Sequence, residues 1–183
     1  MFRNRIIALA VGVVALAAAC TKEDVKTTYS RQEQNIETFV KSIRSSVDTA
    51  YVVYNKGTSR VVVAYGEGDS LSTGGNVAFY YAGYVLSGSS LSNANLFATN
   101  SSEVASAAGW SLSDESMFEV KEVELDKSGF IDGLRYGLEG VKAGQECYVL
   151  FSGKYGFGKH PLGTIPANAA LAYHIWVESV TND

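Results

Sequence analysis

The feature that most limits the possible folds is a change of period at Tyr51, where helical spacing gives way to short runs of β-branched and aromatic residues. The runs at 51–54 and 60–65 flank Asn55-Lys56-Gly57-Thr58, a pattern typical of a β-hairpin. Further strands are predicted at 76–86, 117–123, 145–151 and 170–180. With 11 Tyr, 8 Phe and 18 Gly against only 2 Pro, the composition also favours short strands joined by glycine turns.

Two helices are predicted around these strands. Apolar residues recur at helical spacing between positions 32 and 46: Ile36, Phe39, Val40 and Ile43. This stripe is expected to pack on the domain. A second, short helix is predicted around Phe130, Ile131, Leu134 and Leu138, with Gly140 at its end. The loops at 87–95 and 99–113 are rich in Gly, Ser and Asn. The chain is therefore predicted to form one α+β domain, a mainly antiparallel sheet with a short helix packed on it.

Residues 1–19 have the pattern of a secretory signal peptide. Arg3 and Arg5 form a basic start, and the uncharged run that follows is shorter than the roughly 20 residues of a membrane span. Leu16-Ala17-Ala18-Ala19-Cys20 resembles the lipobox of bacterial lipoproteins, in which the cysteine is acylated and becomes the first mature residue. The alternative is an ordinary secretory signal followed by a cysteine by chance.

Residues 20–31 are predicted to be a lipidated tether. Acyl chains on Cys20 contribute ~0.8 kcal/mol per buried methylene and anchor a protein to a membrane without spanning it. Thr21-Lys22-Glu23-Asp24 resembles the signal that exports lipoproteins of the Bacteroidetes to the outer face of the outer membrane, although a solvated start of the tether has the same composition. We expect a lipid-anchored protein of the cell envelope, in the outer membrane and exposed at the surface.

Charge and the remaining cysteine and histidines exclude several classes of function. The formal charge is −4, and loss of Arg3 and Arg5 makes it more negative still, so nucleic acid is not a predicted partner. Cys147 lies in a predicted strand and is interpreted as a small buried hydrophobic residue. His160 and His174 have no Cys or second His at ligand spacing, so neither a metal nor a cofactor is predicted.

Nine short segments follow one another in a characteristic order. They are GEGD (66–69), GGNV (74–77), FYYAGY (79–84), LFAT (96–99), FIDGL (130–134), GL (137–138), GQE (144–146), YGFG (155–158) and IPANAAL (165–171). Together they resemble the FKBP-type peptidyl-prolyl isomerases over residues 66–180. The resemblance implies an antiparallel β-sheet wrapped on a short α-helix, with an N-terminal helical extension at 32–50 and the FKBP-like domain at 51–183.

The resemblance also implies an apolar pocket that holds the proline ring of a polypeptide. The residues that it places around the pocket are Tyr81, Phe97, Phe130, Ile131, Leu134, Phe157, Ile165 and Tyr173. The backbone N–H of Ile165 is the expected donor to a substrate carbonyl. For each of these residues, packing in the core is the alternative interpretation, because Phe and Ile on strands are usually just buried.

The sequence departs from the family pattern at four places. Ala98 stands where an acid is expected, and Phe157 stands where a tyrosine would offer its hydroxyl to a ligand. Leu134 replaces a tryptophan at the pocket floor, and the loop between Phe97 and Met117 is longer than in minimal members.

The resemblance implies a peptidyl-prolyl cis-trans isomerase that assists the folding of exported proteins. Its partners would be proline-containing polypeptides and, through the lipid, a membrane; a monomer is expected. Ala98 and Phe157 favour an alternative, a catalytically weak or inactive polypeptide-binding or chaperone module on the same fold. A third hypothesis, a surface-displayed ligand-binding accessory protein, rests on Lys22-Glu23-Asp24 alone. The client protein, the membrane leaflet and whether the first helix docks on the sheet remain open at this stage.

Overall fold

The computed structural model describes the backbone of residues 5–182 and the side chains of residues 22–126 and 128–182. The predicted signal peptide and the lipidation site at Cys20 lie outside the residues whose side chains are described. The elements are α1 (Arg5–Ser46), β1 (Tyr51–Asn55), β2 (Thr58–Ala64), β3 (Asn76–Val85), β4 (Leu96–Thr99), α2 (Ser102–Ala107), β5 (Lys121–Glu124), α3 (Asp132–Leu138), β6 (Glu146–Phe151) and β7 (Leu171–Thr181). In this described part of the chain, no helix combines the length and the apolar character that crossing a membrane requires.

All seven strands belong to one sheet in which every named pairing is antiparallel. The order is β1-β2-β6-β7-β3-β4, and β5 pairs with β3 beside β4. Strands β4 and β5 pair with different parts of the same edge of β3. Residues 76–79 pair with β5, and residues 82–84 pair with β4. The predicted α+β class and antiparallel sheet are therefore confirmed, with the N-terminal helix as an addition to the sheet.

The predicted hairpin is present, whereas the segment between β3 and β6 differs from the prediction. Asn55 pairs with Thr58 across the turn from β1 to β2. The strand expected at 117–123 begins only at Lys121, because residues 115–118 form a 3-10 turn that the side chain of Asp114 caps. Part of the predicted loop at 99–113 is helical: Ser101 accepts a hydrogen bond from the Val104 N–H and so caps the start of α2.

Helix α3 packs tightly on one face of the sheet. Gly133 and Gly137 allow this approach, since a Cβ at either position would overlap the side chain of Phe151 or Val149. At the C-terminal end of α3, the buried guanidinium of Arg60 donates to the carbonyl of Gly137 at 2.8 Å and to the carbonyl of residue 139 at 2.6 Å. The helix is thus held at its C-terminus as well as along its length.

Helix α1 covers part of the opposite face of the sheet. Its buried residues Ile36, Phe39 and Val40 pack with apolar side chains of the sheet and of the loops beside it: Val61, Leu86, Leu150, Ala170 and Ala172. The helix therefore docks on the domain, as its apolar stripe predicts. It also begins earlier than the apolar stripe: residues 25–31, predicted to be tether, are helical, and Tyr29 donates to Oδ1 of Asn168 at 2.7 Å. That segment contains neither Gly nor Pro, so nothing in it ends the helix.

Candidate active site

A cavity of about 210 Å³ lies on the α3 face of the sheet, between β3, β4, β5, β7 and the start of α3. Its lining residues are Phe79, Tyr81, Phe97, Ala98, Lys121, Gly129, Phe130, Ile131, Leu134, Phe157 and Tyr173. Seven of the eight residues that the sequence placed at a pocket are in this set. The eighth, Ile165, is buried in the adjoining core and does not line the cavity.

The strand pleat brings the aromatic rings together. Successive side chains of a strand point to opposite faces, so Phe79 and Tyr81 of β3 both face the cavity. Gly83 continues this row, and its missing side chain leaves room for the ring of Phe97, whose Cζ would lie only 2.7 Å from a Cβ at that position. The rings of Phe97 and Tyr173 meet edge to face at 5.7 Å, and those of Tyr81 and Tyr173 lie 6.2 Å apart. An edge-to-face arrangement is one that aromatic pairs prefer.

Two phenol hydroxyls are present in this apolar lining. Neither Tyr81 nor Tyr173 makes a side-chain hydrogen bond with any residue that the structure describes. Burial raises the pKa of both phenols, so both remain protonated at neutral pH and can act as donors. Ala98 lies on the same lining and has no side-chain acceptor to offer them. The cavity thus holds hydroxyl donors even though Phe157 contributes none.

The free backbone donor at the cavity differs from the one that the sequence suggested. The N–H of Ile165 already donates to the carbonyl of Leu162 at 2.9 Å, in a tight turn that the reciprocal bond closes at 3.0 Å. Ile131, by contrast, lines the cavity, and its N–H has no acceptor among the described residues. Ile131 immediately precedes α3, and the first N–H groups at a helix start have no partner within the helix. The sequence placed Ile131 in the first turn of the predicted helix, and the unpaired N–H groups of a first turn were the signal that could have identified it.

Asn100 is a buried polar residue that the sequence analysis did not single out. Its Oδ1 accepts from the N–H of Tyr81 at 2.6 Å, and its Nδ2 donates to the carbonyls of Phe79 at 3.2 Å and Glu119 at 2.9 Å. These bonds fill the gap along β3 between the end of β4 and the start of β5. Asn100 therefore replaces a stretch of edge strand and holds the backbone of two cavity residues.

The remaining reactive side chains lie away from the cavity. His174 is on the opposite face of the sheet, where Nε2 lies 2.7 Å from Oε1 of Glu146 and the ring contacts Tyr148 and Trp176. Cys147 is fully buried, as predicted, and burial raises the pKa of its thiol to about 12, which makes it a poor nucleophile. Within the described residues, no group of three His, Cys, Asp or Glu side chains is arranged to hold a metal ion.

Comparison with known families identifies one match. The sequence profile described as FKBP-type peptidyl-prolyl cis-trans isomerase matches residues 68–178, which is more than half of the chain and includes every residue of the cavity lining. A search of curated protein sequences gave no match.

Solved structures with the same fold come from plants and bacteria. The crystal structure of the three FKBP domains of wheat FKBP73 aligns with a TM-score of 0.56 at 19% identity, over 73% of this chain and 50% of that one, so this chain spans about half its length. FkpA from Escherichia coli aligns with a TM-score of 0.55 at 17% identity, over 99% of this chain and 74% of that one. The N-terminal domain of FKBP42 from Arabidopsis thaliana aligns with a TM-score of 0.53 at 18% identity, over 73% and 92% of the two chains. At these identities the likeness concerns the fold.

Proposed function

The chain belongs to the family of FKBP-type peptidyl-prolyl cis-trans isomerases, and on this premise we propose that it accelerates rotation about X-Pro bonds and so assists the folding of exported polypeptides. Rotation about a peptide bond meets a barrier of ~18–20 kcal/mol that arises from amide resonance. Without a catalyst, X-Pro isomerisation takes tens to hundreds of seconds. The reaction breaks no covalent bond, so a protein that catalyses it needs no nucleophile and no metal.

The observation that carries the proposal is an aromatic cavity that also contains unpaired hydrogen-bond donors. A planar amide is more polar than a twisted one, so moving the X-Pro bond from water to an apolar wall disfavours the planar state more than the twisted state. In our proposal, the proline ring lies among Phe97, Phe157 and Tyr173. The hydroxyl groups of Tyr81 and Tyr173 and the N–H of Ile131 then hold carbonyl oxygens of the polypeptide.

The test is the rate of cis-to-trans isomerisation of a short X-Pro peptide in the presence of the full-length protein in a mild detergent. The unchanged protein should accelerate the reaction, whereas Phe97→Ala and Tyr173→Ala should abolish most of the acceleration because each opens one wall of the cavity. Tyr54→Ala is the control: it also removes an aromatic ring, but Tyr54 is 62% exposed and is not part of the cavity. Circular dichroism of each variant establishes that it is folded.

The second candidate function is a polypeptide-binding or chaperone module with little or no catalysis. It is favoured by Ala98 and Phe157, which leave the lining without a carboxylate and without a third hydroxyl. A folded protein that binds the peptide in calorimetry but does not accelerate its isomerisation would contradict the enzyme and support this module. A protein that neither binds nor accelerates contradicts both.

We further propose that the protein is a lipid-anchored monomer of the outer membrane, attached through Cys20 and exposed at the surface. The proposal is supported by the apolar run that ends in Ala17-Ala18-Ala19-Cys20 and by the Lys22-Glu23-Asp24 segment that follows. An anchored isomerase in that location would meet exported polypeptides before they fold.

A further inference from the structure

Among the described residues that line the cavity, Lys121 is the one that carries a charge. It lies on β5 directly opposite Phe79 of β3, and residues opposite each other in an antiparallel pair have their side chains on the same face. Because side chains alternate along a strand, Glu122 and Glu124 are directed to the other face of β5. The pleat therefore places the positive charge of this strand at the cavity and its two carboxylates away from it.

The ammonium of Lys121 is available to a ligand. The side chain is exposed, and it makes no hydrogen bond or ion pair with the residues that the structure describes. Asp132, the acidic residue next to Ile131 of the lining, forms an ion pair with Arg135 at 2.8 Å. Ala98 contributes no carboxylate at the position where the family pattern has one. The rim of the cavity thus carries a positive charge that is in no ion pair with the described residues, although the chain as a whole has a net charge of −4.

We propose that Lys121 makes this cavity selective for prolines that have an acidic side chain next to them in the polypeptide. The inference rests on the proposed function, because it requires the proline ring to occupy the cavity. A residue adjacent to that proline then lies at the rim, within reach of the flexible four-carbon stem of a lysine. An ionised Glu or Asp is attracted there and a Lys is repelled. The interaction is at an exposed site, so its effect is modest and salt screens it.

The experiment compares peptides that differ only beside the proline. One series carries Glu, Gln or Lys before the proline, and a second series carries them after it; Glu and Gln have nearly the same shape. With the unchanged full-length protein, kcat/KM for the Glu peptide should exceed that for the Gln peptide by about three-fold in at least one series, and the Lys peptide should be the poorest. In ~1 M salt, where the Debye length is about 3 Å, this ratio should approach one.

Substitutions of Lys121 test whether this side chain causes the preference for the Glu peptide over the Gln peptide. Lys121→Gln should bring the ratio of Glu to Gln peptide to about one, and Lys121→Glu should invert it. The rate with the Gln peptide is measured for each variant as well, so that a general loss of activity is distinguished from a loss of selectivity. Lys41→Gln is the matched control: it removes the same charge from an exposed position on α1, on the opposite side of the sheet, and should leave the ratio as it was.

The outcomes separate this inference from the proposed function. Acceleration of the Gln peptide tests the isomerase alone, whereas the ratio of Glu to Gln tests the selectivity. If no peptide is accelerated, the isomerase fails, and the dissociation constants of the same peptides, measured by calorimetry, provide the same ratio for a binding module. A ratio of about one in both series, or a ratio that Lys121→Gln does not change, overturns the role of Lys121. Absence of any peptide binding overturns the inference together with the cavity's proposed use.

Discussion

Tyr173 places a hydroxyl group within an otherwise aromatic cluster. Its ring stacks on Phe151 at a centroid distance of 6.0 Å and meets Phe97 edge to face, and the residue is only 6% exposed. The hydroxyl has no partner among the described residues, and it is not one of their fully buried unpaired atoms, so it opens to the cavity that Tyr173 lines. Because the ring alone provides the packing, the hydroxyl is better explained by a ligand that accepts its hydrogen bond than by stability.

The first prediction concerns Tyr173→Phe, which removes the hydroxyl and keeps the ring. We expect the melting temperature to stay about the same, because the ring that provides the packing is kept. We expect kcat/KM for an X-Pro peptide to fall by about 2- to 10-fold, since one net hydrogen bond is worth ~0.5–1.5 kcal/mol. Tyr148→Phe, which deletes a hydroxyl on the opposite face of the sheet, is the control. Unchanged activity in Tyr173→Phe would show that the hydroxyl does not contact the substrate.

Single residues also show what the sequence reveals about the candidate site. Seven of the residues named from the sequence line the cavity, because they stand in motifs that follow one another in the family's order. Asn100 and Lys121 were missed, since their roles depend on which part of β3 pairs with β4 and which with β5. The structure gives the N–H of Ile165 a different partner from the expected substrate carbonyl, because it donates to Leu162 in a tight turn that no local sequence pattern predicts.

At the scale of elements, α1 is tied to the segment that forms part of the cavity wall. The side-chain amide of Gln32 accepts from the N–H of Gly153 at 3.0 Å and donates to the carbonyl of Asn168 at 2.7 Å. Asn168 has a φ of 57°, a left-handed conformation that a non-glycine residue holds only where its surroundings support it. Phe157 and Ile165 lie between these two anchoring points. The helix therefore contributes to the shape of the cavity although it packs on the other face of the sheet.

The second prediction is that Gln32→Ala loosens this segment. Both hydrogen bonds are lost, so amide exchange over residues 153–168 should become faster and the free energy of unfolding should fall by about 1–2 kcal/mol. Isomerisation of an X-Pro peptide should slow because Phe157 is held less firmly. Hydrogen exchange read by mass spectrometry is the measurement, and Gln34→Ala on the exposed side of the same helix is the control. Equal exchange in both variants would mean that α1 does not restrain the segment.

The elements also differ in how well their bounds could be predicted. The core strands were found within one or two residues, because β-branched runs and glycine turns mark them. Helix α1 was predicted to begin at residue 32, where its apolar stripe starts, but the helix continues earlier through polar residues that contact Asn168 by hydrogen bonds. Strand β4 and helix α2 lie in a Gly-, Ser- and Asn-rich stretch, where polar caps rather than apolar periodicity define the structure.

In the whole molecule, the two faces of the sheet carry different features. The face that packs α3 carries the cavity, and the other face is partly covered by α1, which connects the domain to the N-terminal segment. That the stripe of α1 packs on the domain was predicted, because an amphipathic helix must bury it, whereas the face of the sheet that it covers was not. This arrangement leaves the cavity free of the segment that is proposed to reach the membrane.

The last prediction concerns that membrane attachment. Several acyl chains, each contributing ~0.8 kcal/mol per buried methylene, give firm anchoring, so the protein should label with radioactive palmitate in bacterial cells and sediment with membranes. Cys20→Ser should lose both the label and the sedimentation, while its folded domain keeps the cavity on the α3 face. Cys147→Ala is the matched control, because it removes the only other cysteine from a fully buried position and should leave both readouts intact. Label retained in Cys20→Ser would mean acylation at another residue, and no label in the unchanged protein would favour an ordinary secretory signal; either result contradicts a lipid anchor at Cys20.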